Sequence, residues 1–131
     1  MKIFGIGTDI VNIKRLDKSM KIYGKKFKCK IFSKNEIKYC EKKKFSSSFY
    51  AKRFAAKEAF SKALGTGIRK NINFKNIEIF NDQYGKPFIK LKGGVKDFLK
   101  KKIKNKKYDI YLSLSDDKPW AQATVIISYN K

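Results

Sequence analysis

Histidine is absent from this chain of 131 residues. Its absence excludes histidine as a general acid or base, histidine-containing zinc sites and the Ser/His/Asp triad. Two cysteines, Cys29 and Cys40, lie in a lysine-rich stretch without CxxC spacing. No apolar run approaches the roughly 18 residues of a membrane span, and Gly5 comes too early for a signal peptide. We therefore expect a reduced, cytoplasmic protein without membrane contact.

Acidic residues and arginines are also scarce. The chain has 33 Lys+Arg against 11 Asp+Glu, a formal net charge of +22 and a pI near 10.0. This balance favours anionic partners, and nucleic acid, phosphorylated ligands and acidic proteins all qualify. The lysines are spread along the chain, however, and only Arg15, Arg53 and Arg69 offer bidentate recognition. Codon bias toward lysine would give the same count without selecting any partner.

The length and the 42% hydrophobic content fit one domain with a substantial core, which we assign to residues 1–131. Hydrophobic periodicity and turn residues predict strands at 2–11, 73–80, 87–91, 108–115 and 120–128. They predict helices at 12–23 and 33–43, a central helix through 53–64 that Ser47 or Ser48 could cap, and a helix after Gly93 and Gly94 to about residue 104. Helices and hairpins alternate without regular βα units. The pattern therefore predicts an α+β fold, with an antiparallel sheet packed on a long central helix.

The central helix combines two patterns. Its apolar residues recur at helical spacing: Phe54, Ala55, Ala59, Phe60, Ala63 and Leu64. Its polar residues form an arc of the same helix: Lys57, Glu58, Ser61 and Lys62. Alanines beside Glu58 let neighbouring backbone approach that carboxylate closely. Gly65 follows where a left-handed residue would end the helix.

Two carboxylates from different elements suggest a metal site. Asp9 lies near the end of the first predicted strand, and Glu58 lies on the central helix. Without histidine or a cysteine cluster, such oxygen ligands suit Mg²⁺, which usually completes its coordination with water and substrate phosphate. Lys62, one turn beyond Glu58, is placed to neutralise phosphate charge. The alternatives are a turn role for Asp9 and a surface Glu58–Lys62 salt bridge contributing roughly 0.3–0.5 kcal/mol.

Four segments of the chain resemble the successive signatures of the short-chain 4′-phosphopantetheinyl transferase family, the bacterial holo-acyl-carrier-protein synthases. They are Gly5–Val11, Arg53–Ala59 with Lys62–Gly67, Gly85–Pro87 and Ser113–Ser115. The resemblance runs from about residue 2 to residue 128, in order and at the right length. It implies the fold of that family and transfer of 4′-phosphopantetheine from coenzyme A to a serine of apo acyl carrier protein. Adenosine 3′,5′-bisphosphate is the product released, and the reaction supports fatty acid biosynthesis.

The resemblance also implies roles by position. Asp9 and Glu58 are the Mg²⁺ ligands, and Glu58 and Lys62 are catalytic, with Lys62 beside the diphosphate. Further residues along the coenzyme A site are Arg53, Gly65, Lys86 and Pro87. The basic helix with Arg15, Lys18 and Lys21 resembles the surface that receives the acidic carrier protein. Members of the family are commonly homotrimers, with each active site between two subunits.

One departure from the family pattern concerns the proton acceptor. Many members have histidine where this chain has Asp116, so the serine proton must go to Glu58, to water at the metal or to solvent. Three other interpretations remain. A nucleic-acid-binding protein fits the net charge of +22 but gives Asp9 and Glu58 no task. The others are an inactive subunit of a carrier-protein complex and a transferase of broader specificity, although chains of that last type are usually about twice as long.

Overall fold

The computed structural model describes residues 1–131. Its strands are β1 Lys2–Asn12, β2 Ile77–Asn81, β3 Pro87–Leu91, β4 Tyr108–Asp117 and β5 Trp120–Tyr129. Its helices are α1 Ile13–Ile31, α2 Lys34–Glu41, α3 Ser46–Leu64 and α4 Gly93–Lys102, and a short 3₁₀ turn spans Phe74–Asn76. The predicted α+β class is confirmed. None of the four helices combines the length and the apolar composition that crossing a membrane requires.

The strands form two separate antiparallel sheets. One has the order β1–β5–β4, and the other is the β2–β3 hairpin. In the larger sheet Asp9 pairs with Ala123, which pairs with Leu114 on the other side. Asp9 is therefore held well inside a hydrogen-bonded strand rather than in a turn. This finding excludes the turn role that we considered for it.

Helix α3 lies directly on the larger sheet because two glycines of β1 have no side chains. A Cβ atom on Gly5 would stand 1.8 Å from the carbonyl oxygen of Ala63, and one on Gly7 would stand 1.8 Å from that of Ala59. No side chain fits at such distances. The glycines and the alanines together bring the backbone of α3 onto β1, and this contact places Glu58 near Asp9.

Helix α1 bends at Gly24. That residue has φ 67° and ψ −150°, and the helix then resumes and continues to Ile31. The predicted end at residue 23 is thus a kink, because glycine tolerates a backbone conformation that interrupts the helix without terminating it. Ile13, Leu16 and Met20, at helical spacing, are buried, whereas Tyr23 is 66% exposed.

A buried ionic network anchors α3 to α2 and β2. The Lys57 ammonium lies 2.8 Å from Glu36 Oε1 and donates to the carbonyl oxygens of Phe74 and Ile77, at 2.8 and 2.7 Å. Both charged side chains are fully buried. The prediction that Lys57 lies on an exposed polar arc is wrong, because the helix is covered on that side by α2 and the β2–β3 hairpin. Ser61 is buried as well.

The other carboxylate oxygen of Glu36 is also satisfied. Glu36 Oε2 accepts a hydrogen bond from the backbone nitrogen of Ile79 at 2.9 Å, and Oε1 accepts one from that of Ser33 at 2.8 Å. The Ser33 side chain in turn caps the backbone nitrogen of Glu36, which completes the capping box at the start of α2. Burial lowers the pKa of Lys57, and the Glu36 carboxylate opposes this shift.

Candidate active site

A cavity of about 410 Å³ opens between β1, α1 and α3. Its wall combines two carboxylates, one guanidinium and several apolar side chains: Asp9, Ile10, Val11, Asn12, Arg15, Leu16, Ser19, Phe27, Phe54 and Glu58. The contact between α3 and the glycines of β1 brings residues from distant parts of the sequence to this place. A cavity with a few convergent charged groups on an apolar wall is typical of a ligand site.

The two carboxylates predicted as metal ligands both line this cavity. Burial raises the pKa of Glu58, the negative charge of Asp9 raises it further, and Lys62 partly opposes both effects. A negative charge close to a half-buried carboxyl group disfavours ionisation of that group. A cation between them would relieve that repulsion. This fits the oxygen ligands that Mg²⁺ prefers, which it takes from one or two carboxylates together with other oxygen donors.

Lys62 contacts Asp9 rather than Glu58. Its Nζ atom lies 3.0 Å from Asp9 Oδ1 and donates to the carbonyl oxygen of Thr8, also at 3.0 Å. The alternative of a surface Glu58–Lys62 salt bridge is wrong, because the ion pair that forms is with Asp9. The lysine therefore neutralises Asp9 directly and acts on Glu58 only through its charge.

A second, smaller groove contains several of the residues assigned to coenzyme A. It has a volume of about 150 Å³ and is lined by Tyr39, Phe49, Lys52, Arg53, Asn81, Gly85, Pro87 and Leu114. The Arg53 guanidinium lies 4.1 Å from the centroid of the Tyr39 ring and donates to Asn81 Oδ1 at 2.5 Å. Arg53 is only 2% exposed, and its Nε atom has no hydrogen-bond partner.

The remaining residues of that assignment are dispersed. Lys86 is exposed in the turn between β2 and β3, next to Pro87 in the groove. Gly65 adopts φ 88° and ends α3, as expected from its position. The structure thus places Arg53 and Pro87 in one groove and Gly65 beyond Lys62 at the end of the helix.

Asp116, which stands where many family members have histidine, forms an ion pair with Lys52 at 3.4 Å. Lys52 also lies over the Phe49 ring, 4.4 Å from its centroid. Both contacts lie at the edge of the smaller groove. The carboxylate is therefore neutralised by a neighbouring lysine, which leaves the groove without an uncompensated negative charge on this side.

The three basic residues predicted on α1 do not share one environment. Arg15 lines the large cavity, whereas Lys18 and Lys21 are exposed outside it. Lys21 forms an ion pair with Asp17 at 3.0 Å. Of these three residues, Arg15 alone connects the basic face of α1 with the carboxylates of the cavity.

Several cavity residues were not singled out from the sequence. Leu16, Ser19, Phe27 and Phe54 line the cavity, and of these the sequence pattern identifies only Phe54, as an apolar residue of the central helix. A stripe identifies which side of a helix is apolar but not whether a neighbouring helix leaves a gap beside it. For Phe27 the sequence does contain a signal, Gly24. A glycine inside a helix permits a kink, and the kink found at Gly24 changes the direction of α1 before Phe27.

Neither cysteine belongs to this site. Cys29 is half-buried and Cys40 is buried, and both are free thiols. Burial raises the pKa of Cys40 to about 12. A thiol in that environment stays protonated at neutral pH and is a poor nucleophile.

The sequence model described as "4'-phosphopantetheinyl transferase superfamily" matches residues 5–123. The chain belongs to this superfamily. A holo-[acyl-carrier-protein] synthase of Pelagibacter ubique is 47% identical over 127 residues, which cover 97% of this chain and 98% of the relative. The family resemblance inferred from the four sequence segments is therefore confirmed.

Solved structures of the same superfamily have the same fold. The crystal structure of a holo-[acyl-carrier-protein] synthase from Neisseria meningitidis is 37% identical, with a TM-score of 0.85 over 96% of this chain and 98% of that one. The synthase from Helicobacter pylori, solved in complex with coenzyme A, is also 37% identical. Its TM-score is 0.80 over 94% of this chain and 99% of that one.

Proposed function

We propose that this protein is a holo-acyl-carrier-protein synthase, which transfers 4′-phosphopantetheine from coenzyme A to a serine of apo acyl carrier protein. The observation that carries the proposal is the cluster of Asp9, Glu58 and Lys62 beside one cavity, within a chain of the 4′-phosphopantetheinyl transferase superfamily. Relatives named for this activity match nearly the whole chain. We further propose that this modification of the carrier protein supports fatty acid biosynthesis. We assign the enzyme to the cytoplasm, and we treat residues 1–131 as one domain.

In the proposed reaction the carrier serine oxygen attacks the β-phosphorus of the diphosphate. A new oxygen–phosphorus bond forms, the bond to the other phosphate breaks, and adenosine 3′,5′-bisphosphate leaves. Such transfers depend mainly on positioning and on neutralisation of phosphate charge. Lys62 supplies the positive charge beside the cavity. The serine proton would go to Glu58, to water at the metal or to solvent, since the chain has no histidine.

Asp9 and Glu58 are the residues that would hold Mg²⁺. When bound, the ion would supply charge neutralisation at the diphosphate. The groove with Arg53 and Pro87, together with the exposed Lys86 beside it, is the place we assign to the nucleotide end of coenzyme A. Gly65 remains part of this assignment through its position after Lys62.

The basic face of α1 is the proposed docking surface for the carrier protein. Lys18 and Lys21 are exposed there, and Arg15 reaches the cavity. We expect Arg15→Glu to raise the KM for the carrier on the order of tenfold, with a much smaller change in the KM for coenzyme A. Lys100→Glu makes the same charge change on α4 and serves as the control. Equal effects of Arg15→Glu on both KM values, or an equal effect of the control, would count against docking here.

The outer face of the three-stranded sheet supports assembly into a homotrimer. Ile6, Ile10 and Tyr111 are 65, 61 and 51% exposed on this face. A large exposed apolar patch of this kind often marks a protein–protein contact. We propose that a second copy of the chain covers it. Light scattering should give the mass of a trimer, and Ile6→Asp should reduce that mass; a wild-type monomer at every concentration would contradict the assembly.

The transfer itself is tested by intact-mass spectrometry. Incubation with coenzyme A, Mg²⁺ and an apo acyl carrier protein should add one phosphopantetheine unit to the carrier. A carrier whose acceptor serine is replaced by alanine should gain no mass. Absence of the addition to the unaltered carrier, under conditions in which an established synthase succeeds, would overturn the proposed function.

A further inference from the structure

Lys62 holds the carboxylate that a metal ion at this site would need. Its ammonium has three protons, and two of them are donated to Asp9 Oδ1 and to the carbonyl oxygen of Thr8, each at 3.0 Å. The side chain of Lys62 is 51% exposed, whereas that of Asp9 is 17% exposed. The lysine therefore reaches from the surface of α3 down to a mostly buried carboxylate.

The neighbouring carboxylate has no such partner. Glu58 forms no ion pair and accepts no hydrogen bond through its side chain, although it lines the same cavity. One ammonium thus faces two carboxylates and neutralises only one of them. A cation that binds both carboxylates needs the Asp9 carboxylate, whose Oδ1 atom already accepts a hydrogen bond from Lys62. A cation that uses Oδ1 therefore displaces the lysine.

The Lys62–Asp9 contact is of a kind that can be exchanged. Half-exposed ion pairs contribute little to stability, because water competes for both charges and the long lysine side chain loses freedom. The lysine stem is flexible and has three rotatable donors. A released Lys62 ammonium stays tethered on α3, one turn from Glu58 of the cavity wall.

We propose that Lys62 and a divalent cation compete for Asp9, so that cation binding releases the Lys62 ammonium toward the diphosphate of the substrate. This inference rests on the proposed function for the identity of that substrate. It makes cation binding and nucleotide binding cooperative through one side chain. By linkage, each ligand then raises the affinity of the other by the same factor.

The competition predicts that removing Lys62 strengthens metal binding. Calorimetric titration of the full-length protein with Mg²⁺ alone should show Lys62→Met binding roughly twofold to fivefold more tightly than the wild type, the range expected for loss of an exposed ion pair. Electron paramagnetic resonance with Mn²⁺ provides a second readout. Unchanged or weaker binding by Lys62→Met would overturn the proposal, and so would absence of any Mg²⁺ or Mn²⁺ binding.

Arg15→Met separates direct competition from a general loss of positive charge. Arg15 lines the same cavity and has the same charge, but no ion pair joins it to Asp9 or Glu58. Its removal should strengthen Mg²⁺ binding less than removal of Lys62. Equal strengthening by the two variants would mean that Lys62 acts only through its charge, and would overturn direct competition.

The titration repeated with saturating coenzyme A tests the release. Coenzyme A should tighten Mg²⁺ binding in the wild type by a larger factor than in Lys62→Met, because only the wild type contains the competing lysine. Equal factors would overturn the release of Lys62. These measurements require no carrier protein and no turnover. Failure of phosphopantetheine transfer would therefore contradict the proposed function without deciding the competition, and the titrations decide the competition alone.

Discussion

Two adjacent residues of α3, Lys57 and Glu58, belong to charged clusters of opposite character. The cluster of Lys57 and Glu36 is fully buried, and the ammonium has three protein acceptors. The cluster of Glu58, Asp9 and Lys62 is half-exposed, and Glu58 has no cationic partner of its own. Charge that is fully compensated inside the protein holds elements together. Charge that is left uncompensated beside a cavity is available to a ligand.

Substitution of the two carboxylates beside the cavity should have the largest effect. We expect Asp9→Ala and Glu58→Ala each to lower the rate of phosphopantetheine transfer by at least about a hundredfold, since both act on the transition-state charge. Thermal unfolding should remain cooperative in both. Asp97→Ala, an exposed carboxylate on α4, is the control and should keep its activity. Full activity in Asp9→Ala or Glu58→Ala would remove the metal assignment.

Breaking the compensated cluster should act on stability. Lys57→Met leaves the Glu36 carboxylate buried without its cation, and we expect the free energy of unfolding to fall by about 3–5 kcal/mol. Urea denaturation measures this change. Lys21→Met removes a lysine from the exposed pair with Asp17 and should cost no more than about 0.5 kcal/mol. Similar losses in the two variants would erase the distinction between the clusters.

The pH dependence of stability gives the smallest effect. The folded pKa of Glu58 is raised above its ordinary value of 4.5. Protonated Glu58 therefore favours the fold below pH 4.5, and this contribution is lost as the pH rises through the folded pKa. We expect Glu58→Gln to raise the Tm at pH 7 by roughly 1–3 °C, with the gain disappearing near pH 4.

Asp97→Asn is the matched control for this pH effect, because Asp97 is exposed and forms no ion pair. It should change the Tm equally at both pH values. A lower Tm for Glu58→Gln at pH 7 would show that ionised Glu58 stabilises the fold, which contradicts the direction of its pKa shift.

Local sequence patterns predicted much of this molecule. The helix predicted from residue 33 and the end of the central helix at Gly65 rest on signals within a few residues, and both are found. Such predictions succeed when the physical cause lies within one turn or one strand. Asp9 and Glu58 come from different elements, and the chemistry of oxygen ligands, not local spacing, makes them candidate Mg²⁺ ligands.

Predictions that depend on tertiary packing were less successful. Lys57 and Lys62 have the same charge on one helix, and only the packing of α2 and β2 buries the first and leaves the second exposed. The i,i+4 spacing suggested a Glu58–Lys62 pair, but β1 lies close enough to offer Asp9 instead. Helical spacing predicts which side chains of one helix lie close together. It contains no information about side chains that a neighbouring strand or helix brings near them.

The most direct test of the account compares the two products of the reaction. With coenzyme A, Mg²⁺ and apo carrier protein, chromatography should measure adenosine 3′,5′-bisphosphate while intact-mass spectrometry measures modified carrier. The account predicts one equivalent of bisphosphate for each carrier that gains phosphopantetheine. Bisphosphate without modified carrier would indicate hydrolysis, and absence of both products would indicate no reaction; either result would contradict transfer to the serine.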